Sequence, residues 1–198
     1  MILAQSRGVQ EGEATEVHDD RLRRLYRYWL DRKGNRRFPC RRDIDPAHFT
    51  YVLGDVMLVD VLRDPLRFRV RVHGTNMALQ GRYDLTGKLI DDLPIAEYRD
   101  YVLQRCAGLV RNGKPLAVRY ERVWELRPCR YEALWLPLSD DETNVTALLC
   151  AMDYHVYRAR AAELRQRAQT AQDPVVFREL LALAAEYDRL AEDAEHQS

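Results

Sequence analysis

The sequence contains no apolar run that approaches the roughly 20 residues needed by a membrane-spanning helix. Its first 17 residues, MILAQSRGVQEGEATEV, turn polar after a short apolar start, so they lack the apolar core of a signal peptide. We therefore expect a cytoplasmic protein without membrane association, in which residues 1–17 form a disordered lead.

A surplus of either charge is also missing. The 31 basic residues are balanced by 31 acidic residues, and lysine occurs only at Lys33, Lys88 and Lys114. Because general nucleic-acid binding requires a basic surplus to displace counterions, this balance argues against a nucleic-acid partner.

Patterns typical of metal sites, disulfides and catalytic sites are absent. The four cysteines lie far apart without a CxxC pair, which excludes a recognisable zinc site or disulfide framework. No GxGxxG or P-loop occurs, and no spaced trio indicates a Ser-His-Asp or Cys-His site. We predict no metal, no catalytic residue and no enzymatic activity.

What the sequence does contain is a core with alternating helix and strand patterns. Asp19 or Asp20 can cap a helix that runs to Lys33 and stops at Gly34, with large apolar side chains on one face. Strands are predicted at 55–62, 67–73, 116–126, 131–138 and 145–154, with a long helix at 95–112 between the second and third strands. This order predicts an α+β fold with a five-stranded antiparallel sheet and helices on one face. The last two strands are apolar on both faces, so we expect the N-terminal helix to cover the second face.

The C-terminal part, residues 155–198, is predicted to be a helical hairpin or a coiled-coil extension. Its second helix carries a long apolar stripe that cannot remain in water, so it needs a partner in the same chain or in a second copy. We predict that apolar residues of the first and last helices contact a dimer partner or another protein. These candidates are Leu22, Tyr26, Trp29, Phe177, Leu181 and Tyr187.

Three segments in this order resemble the PAS fold, and more narrowly the alphaproteobacterial single-PAS-domain family. They are YRYWLDRKGNRRFPCRRDIDP, FRVRVHGTNMALQGRYDLTGK and YEALWLPLSDD. The resemblance covers residues 22 to 154 and implies a PAS-like domain at 18–154. It also implies a sensory or interaction domain without catalytic residues.

The stretch GTNMALQG is similar to the flavin-binding box of blue-light PAS domains, but it departs from that box in two ways. Met77 replaces the reactive cysteine, and one residue is missing before Leu79. A thioether cannot form the flavin adduct, and no histidine is well placed for haem. We therefore predict no cofactor, and interpret Gly74 as part of a tight corner between a strand and a helix.

A pocket for a small ligand remains open. Arg122 shares a strand face with Tyr120 and Trp124, so it is predicted to point inward, paired either with Glu132 or with an acidic ligand. The pocket candidates are Met57, Met77, Tyr120, Arg122, Trp124, Glu132 and Trp135.

These observations predict a non-catalytic sensor or adaptor that acts by dimerising or by docking a signalling protein, tuned by a small ligand in one version. The alternative is a binding protein for a small acidic metabolite. An enzyme that uses the same cavity is the weakest hypothesis, because no acid-base or nucleophile constellation occurs.

Overall fold

The computed structural model describes residues 9–124, 127–153 and 156–195, with side chains described except at 121–130, 156–160, 162–163 and 190–195. Two compact units are distinguished. The core unit comprises Val9–Arg119 and Glu132–Met152, and the hairpin unit contains Tyr120–Tyr131 and the chain from Asp153 onward. Among the described residues, no helix has the length and apolarity needed to cross a membrane.

Six strands form one sheet. They are β1 (Val9–Glu13), β2 (Val56–Leu62), β3 (Arg67–His73), β4 (Leu116–Trp124), β5 (Arg127–Leu138) and β6 (Ala147–Asp153). The order across the sheet is β1-β4-β5-β6-β2-β3, and β2 pairs antiparallel with both β3 and β6.

The sheet therefore has one strand more than the five that were predicted. The additional strand β1 lies within the segment 1–17 that was expected to be disordered. Its sequence, VQEGE, has a single apolar residue, so it carries no alternating pattern. An edge strand can be held by backbone hydrogen bonds alone, and such a strand leaves little trace in the side-chain pattern.

The helices of the core unit are α1 (Asp20–Lys33), α2 (Thr75–Gly81) and α3 (Ala96–Asn112). Asp19 caps α1 by accepting a hydrogen bond from the Leu22 amide at 2.9 Å, and Gly34 ends the helix. These bounds confirm the predicted helix. The helix could be predicted because its cap and its stop are both local sequence signals.

Helix α1 covers one face of the sheet, as predicted. Its buried residues Leu22, Leu25 and Trp29 pack in one apolar cluster with residues of β2, β5 and β6. The Trp29 indole N–H donates to the Pro137 carbonyl oxygen at 3.0 Å inside this cluster. We call this side of the sheet the α1 face.

The strand residues of opposite parity lie on the other face. Met57 and Cys150 are paired across β2 and β6, and both are buried. Burial and the nearby Cys106 of α3 raise the pKa of the Cys150 thiol. This face therefore packs against α3, which gives the sheet helices on both sides.

At the start of the stretch GTNMALQG, the backbone of Gly74 passes close to the backbone of Gly54. The Gly74 amide donates to the Val56 carbonyl oxygen at 2.8 Å, and a Cβ atom at Gly74 would lie 2.2 Å from the Gly54 carbonyl oxygen. Only a residue without a side chain fits there, so the predicted tight corner is the structural role of Gly74.

The hairpin unit contains α4 (Val156–Gln169) and α5 (Pro174–Glu195). Ala161 and Leu164 of α4 pack against Ala184 and Tyr187 of α5 in a small buried cluster. An ion pair between Arg165 and Asp188 joins the same two helices. The two helices thus pack against each other as a hairpin.

Candidate functional site

Glu132 is an extensively hydrogen-bonded carboxylate on the α1 face. It is buried, and its two oxygens accept from the backbone amides of His18 and Asp19 at 2.9–3.1 Å. The Arg119 Nε atom donates to the same carboxylate at 3.3 Å. Glu132 therefore anchors the start of α1 to strand β5.

Among the described residues the arginine partner of Glu132 is Arg119, and its predicted pairing with Arg122 stays a prediction. Glu132 pairs with Arg119, which has the opposite strand parity to the predicted Arg122. The side chains of Arg122 and Trp124 lie outside the described residues. Arg119 shares the parity of Ala117, which the α1 face buries, so identifying Arg119 required knowing which face α1 covers.

The predicted pocket is also divided by the sheet. Glu132 has the parity of Leu134 and Leu136, which lie in the α1-face cluster, whereas Trp135 has the opposite parity. Met57 likewise lies on the face opposite to α1. These residues therefore cannot line one space together with Glu132.

The remaining pocket candidates are packed into the protein. Met77 on α2 is buried, and Tyr120 stacks on Tyr131 with ring centroids 4.9 Å apart. Because Met77 presents a buried thioether where the flavin box has its cysteine, the residues at this corner do not fit a cysteinyl–flavin adduct.

His73, at the end of β3, is a buried titratable group beside this corner. The Leu85 amide donates to His73 Nδ1 at 3.3 Å, and Tyr83 stacks on the ring at 6.0 Å. Burial lowers the pKa of His73, and the nearby Asp84 partly opposes that shift. Burial thus favours the neutral imidazole, and Nδ1 is the acceptor in the contact with Leu85.

An open cleft of about 660 Å³ lies between β1 and the end of α3, and we call it the edge cleft. Its charged lining residues are Glu11, Glu13, Glu16, Arg105 and Lys114. Arg105 is already paired with Glu11. None of the predicted pocket residues whose side chains are described lines this cleft, so sequence reasoning missed it.

Several residues of the predicted partner surface are buried within the chain. Leu22 and Trp29 are fully packed on the α1 face, and Tyr26 is partly buried against the same cluster. Tyr187 is buried within the hairpin. Leu22, Trp29 and Tyr187 therefore do not offer a free surface, because each already has its apolar contacts within one unit of the chain.

Phe177 and Leu181 on α5 do form an exposed apolar surface. They are 39% and 38% exposed, and Val176 and Leu183 are 43% and 36% exposed. At 100° per residue, the buried positions Ala184 and Tyr187 lie between these two exposed pairs around the helix axis. The apolar arc of α5 thus spans about 160°, and α4 covers its middle only.

The described residues contain no group of three or more histidine, cysteine or acidic side chains that could hold a metal ion. Among solved structures, a domain of HTR-like protein from Haloarcula marismortui ATCC 43049 is similar at a TM-score of 0.35 and 17% identity, over 50% of this chain and 95% of that chain. A LOV protein from Rhodobacter sphaeroides is similar at a TM-score of 0.40 and 13% identity, over 78% of this chain and 100% of that chain.

No curated protein matches this chain. A family model described as a PAS domain matches residues 17–153, which include α1, strands β2 to β6 and the Gly74 corner. The expected alphaproteobacterial origin stays a prediction. Because the match extends over more than half of the sequence, this chain belongs to the PAS domain family.

Proposed function

We propose that this chain is a non-catalytic sensory signalling protein that works as a homodimer through its C-terminal hairpin. Membership of the PAS domain family supports the sensory role. Its action as an adaptor for a signalling protein, and a cytoplasmic location, belong to the same proposal.

The observation that carries the dimer is the incompletely covered apolar arc of α5. Val176 and Leu183 on one side, and Phe177 and Leu181 on the other, flank the contact with α4. A two-helix hairpin covers only part of such an arc. Two hairpins packed as a four-helix bundle cover both flanks, and a two-fold axis makes the same surface complementary to itself.

The charges of the two helices favour the same assembly. Helix α4 carries four arginines and one glutamate, whereas α5 carries six carboxylates and two arginines. Each α5 in a four-helix bundle can therefore lie between two basic α4 helices, one from each chain.

A matched pair of substitutions tests this proposal. Leu181→Glu places a charge within the exposed arc, while Ala182→Glu places the same charge on the exposed opposite side of α5. We expect the Ala182→Glu variant to remain dimeric and the Leu181→Glu variant to become monomeric in light scattering after size-exclusion chromatography. A Leu181→Glu variant that stays dimeric would contradict the proposed surface.

A second candidate function, binding of a small molecule, is favoured by the edge cleft. Its size lies within the range of about 300–1,000 Å³ that is usual for ligand sites. The cleft has open space beside Gly108, because a Cβ atom at this residue would meet nothing within 4 Å. The three glutamates do not suit the acidic metabolite predicted from the sequence. Native mass spectrometry of freshly purified protein tests this function, and an added mass that is lost on denaturation is the expected sign of a ligand.

A further inference from the structure

Three arginines from separate parts of the chain converge on the buried carboxylate of Asp60. Arg71 on β3 donates through Nε to both oxygens at 3.1 Å, and through Nη2 to Oδ2 at 2.8 Å. Arg41, from the loop after α1, contacts Oδ1 at 3.2 Å, and Arg69 contacts Oδ2 at 3.4 Å. We call Arg41, Arg69 and Arg71 the arginine patch.

Asp60 does not require all three arginines. Arg71 alone supplies a hydrogen bond to each carboxylate oxygen, which is the two-pronged geometry that a guanidinium prefers. Arg41 and Arg69 add two positive charges beside the first, and like charges at this spacing repel each other. The three arginines and the single carboxylate of Asp60 therefore leave an excess of two positive charges.

No other described carboxylate neutralises this excess. Arg67, on the same strand, is paired with Asp91 at 3.4 Å, but none of the three patch arginines has a second acidic partner among the described residues. Their side chains are between 31% and 48% exposed, while Asp60 is 11% exposed. The carboxylate is therefore buried, while the three arginine side chains that contact it remain partly exposed.

The patch is also held in position before any ligand arrives. Arg69 and Asp60 are directly opposite each other across β3 and β2, so the sheet register fixes their separation. Each arginine is already held by the Asp60 carboxylate, so its side chain has less conformational freedom to lose when a ligand anion binds.

We infer that the arginine patch docks an acidic segment of a partner protein. Two excess charges suit a pair of carboxylates, whereas duplex nucleic acid needs many phosphate contacts and this chain has no basic surplus. Because the patch lies on exposed side chains of the sheet and not in the edge cleft, it suits an extended segment better than an enclosed small molecule. All three patch arginines and Asp60 belong to the core unit.

Binding of a fluorescein-labelled oligoglutamate peptide, followed by fluorescence anisotropy at low ionic strength, tests the inference. We expect Arg69→Glu to weaken binding by at least about tenfold and to reduce its salt dependence. Arg99→Glu is the control, because it makes the same charge change at an arginine whose acidic partner among the described residues is its neighbour Asp100. It should leave the affinity unchanged.

Two further measurements separate the patch from misfolding and from dimerisation. Arg41→Gln changes a different segment and leaves Arg71 on Asp60, so it should weaken the peptide by about threefold while the thermal transition is retained. The Leu181→Glu variant should bind the peptide as the unmodified chain does, whatever its oligomeric state. Equal affinities for Arg69→Glu and Arg99→Glu would overturn the inference. Binding of pyrophosphate or of an oligonucleotide, but not of the peptide, would also overturn it.

Discussion

In the PAS core, Leu22, Leu25 and Trp29 of α1 are buried against the sheet, whereas five large apolar side chains of α5 in the hairpin remain more than one third exposed. The sequences of the two helices are similar in kind, since both carry an apolar stripe on a charged helix. Their difference lies in the surface available to each. The sheet covers Leu22, Leu25 and Trp29 of α1 but leaves Leu30 42% exposed, whereas α4 covers only the middle of the apolar arc of α5.

The two regions also use charge differently. In the core, Glu132 and Asp60 are buried and each accepts hydrogen bonds from several donors. In the hairpin, the described inter-helix pair Arg165–Asp188 is half exposed and therefore contributes little to stability. The core therefore buries carboxylates beneath several donors, whereas the hairpin keeps its ion pair partly in water.

Truncating one buried and one exposed aromatic side chain should give the largest contrast. Trp29→Ala removes a buried ring and leaves the Pro137 carbonyl without its donor, so we expect a loss of about 3–5 kcal/mol in the free energy of unfolding. Phe177→Ala should change the unfolding of the core by less than about 0.5 kcal/mol. Urea unfolding of both variants should be followed by circular dichroism. Tryptophan fluorescence is less suitable, because Trp29→Ala removes one of the three tryptophans that give the signal. Similar losses in both variants would mean that the hairpin is as completely packed as the core.

Neutralising one carboxylate in each region should give a smaller contrast. Glu132→Gln presents an amide to the His18 and Asp19 N–H groups, and we expect it to cost about 2–3 kcal/mol. Glu179→Gln, on the exposed part of α5, makes the same chemical change and should cost almost nothing in thermal unfolding. If Glu132→Gln were equally harmless, the anchoring of α1 by this carboxylate would be disproved.

The smallest expected effect is a pH dependence confined to the core. Because burial lowers the pKa of folded His73, the unfolded chain binds that proton more readily. The contribution of His73 is therefore fully present above the unfolded pKa of about 6.5, and it is lost as the pH falls through the lower folded pKa. His73→Gln keeps an acceptor for the Leu85 amide but cannot titrate in this range. Its thermal midpoint should fall less between pH 7.5 and pH 5.5 than that of the unmodified chain. An identical fall would show that His73 does not contribute to the pH dependence of stability.

Much of the fold was predictable because its signals are local. The Asp19 cap and the Gly34 stop define α1, and alternation along RFRVRVH defines β3. Strand β1 could not be predicted, because VQEGE has one apolar residue and its pairing uses backbone groups.

The candidate sites were less predictable because they depend on which strands become neighbours. Arg41 and Arg71 are 30 positions apart in the sequence, and only the sheet register brings them to one carboxylate. The pairing of Glu132 with Arg119 required knowing which face α1 covers. Phe177 and Leu181 are exposed on α5, and their predicted contact with a partner stays a prediction.

The most direct test of this account is the mass of the unmodified full-length chain in solution. Sedimentation equilibrium over a range of concentrations should give twice the chain mass of 23.2 kDa, with dissociation only on dilution. A mass of one chain at every concentration would contradict the account, because the exposed arc of α5 would then have no second copy to cover it.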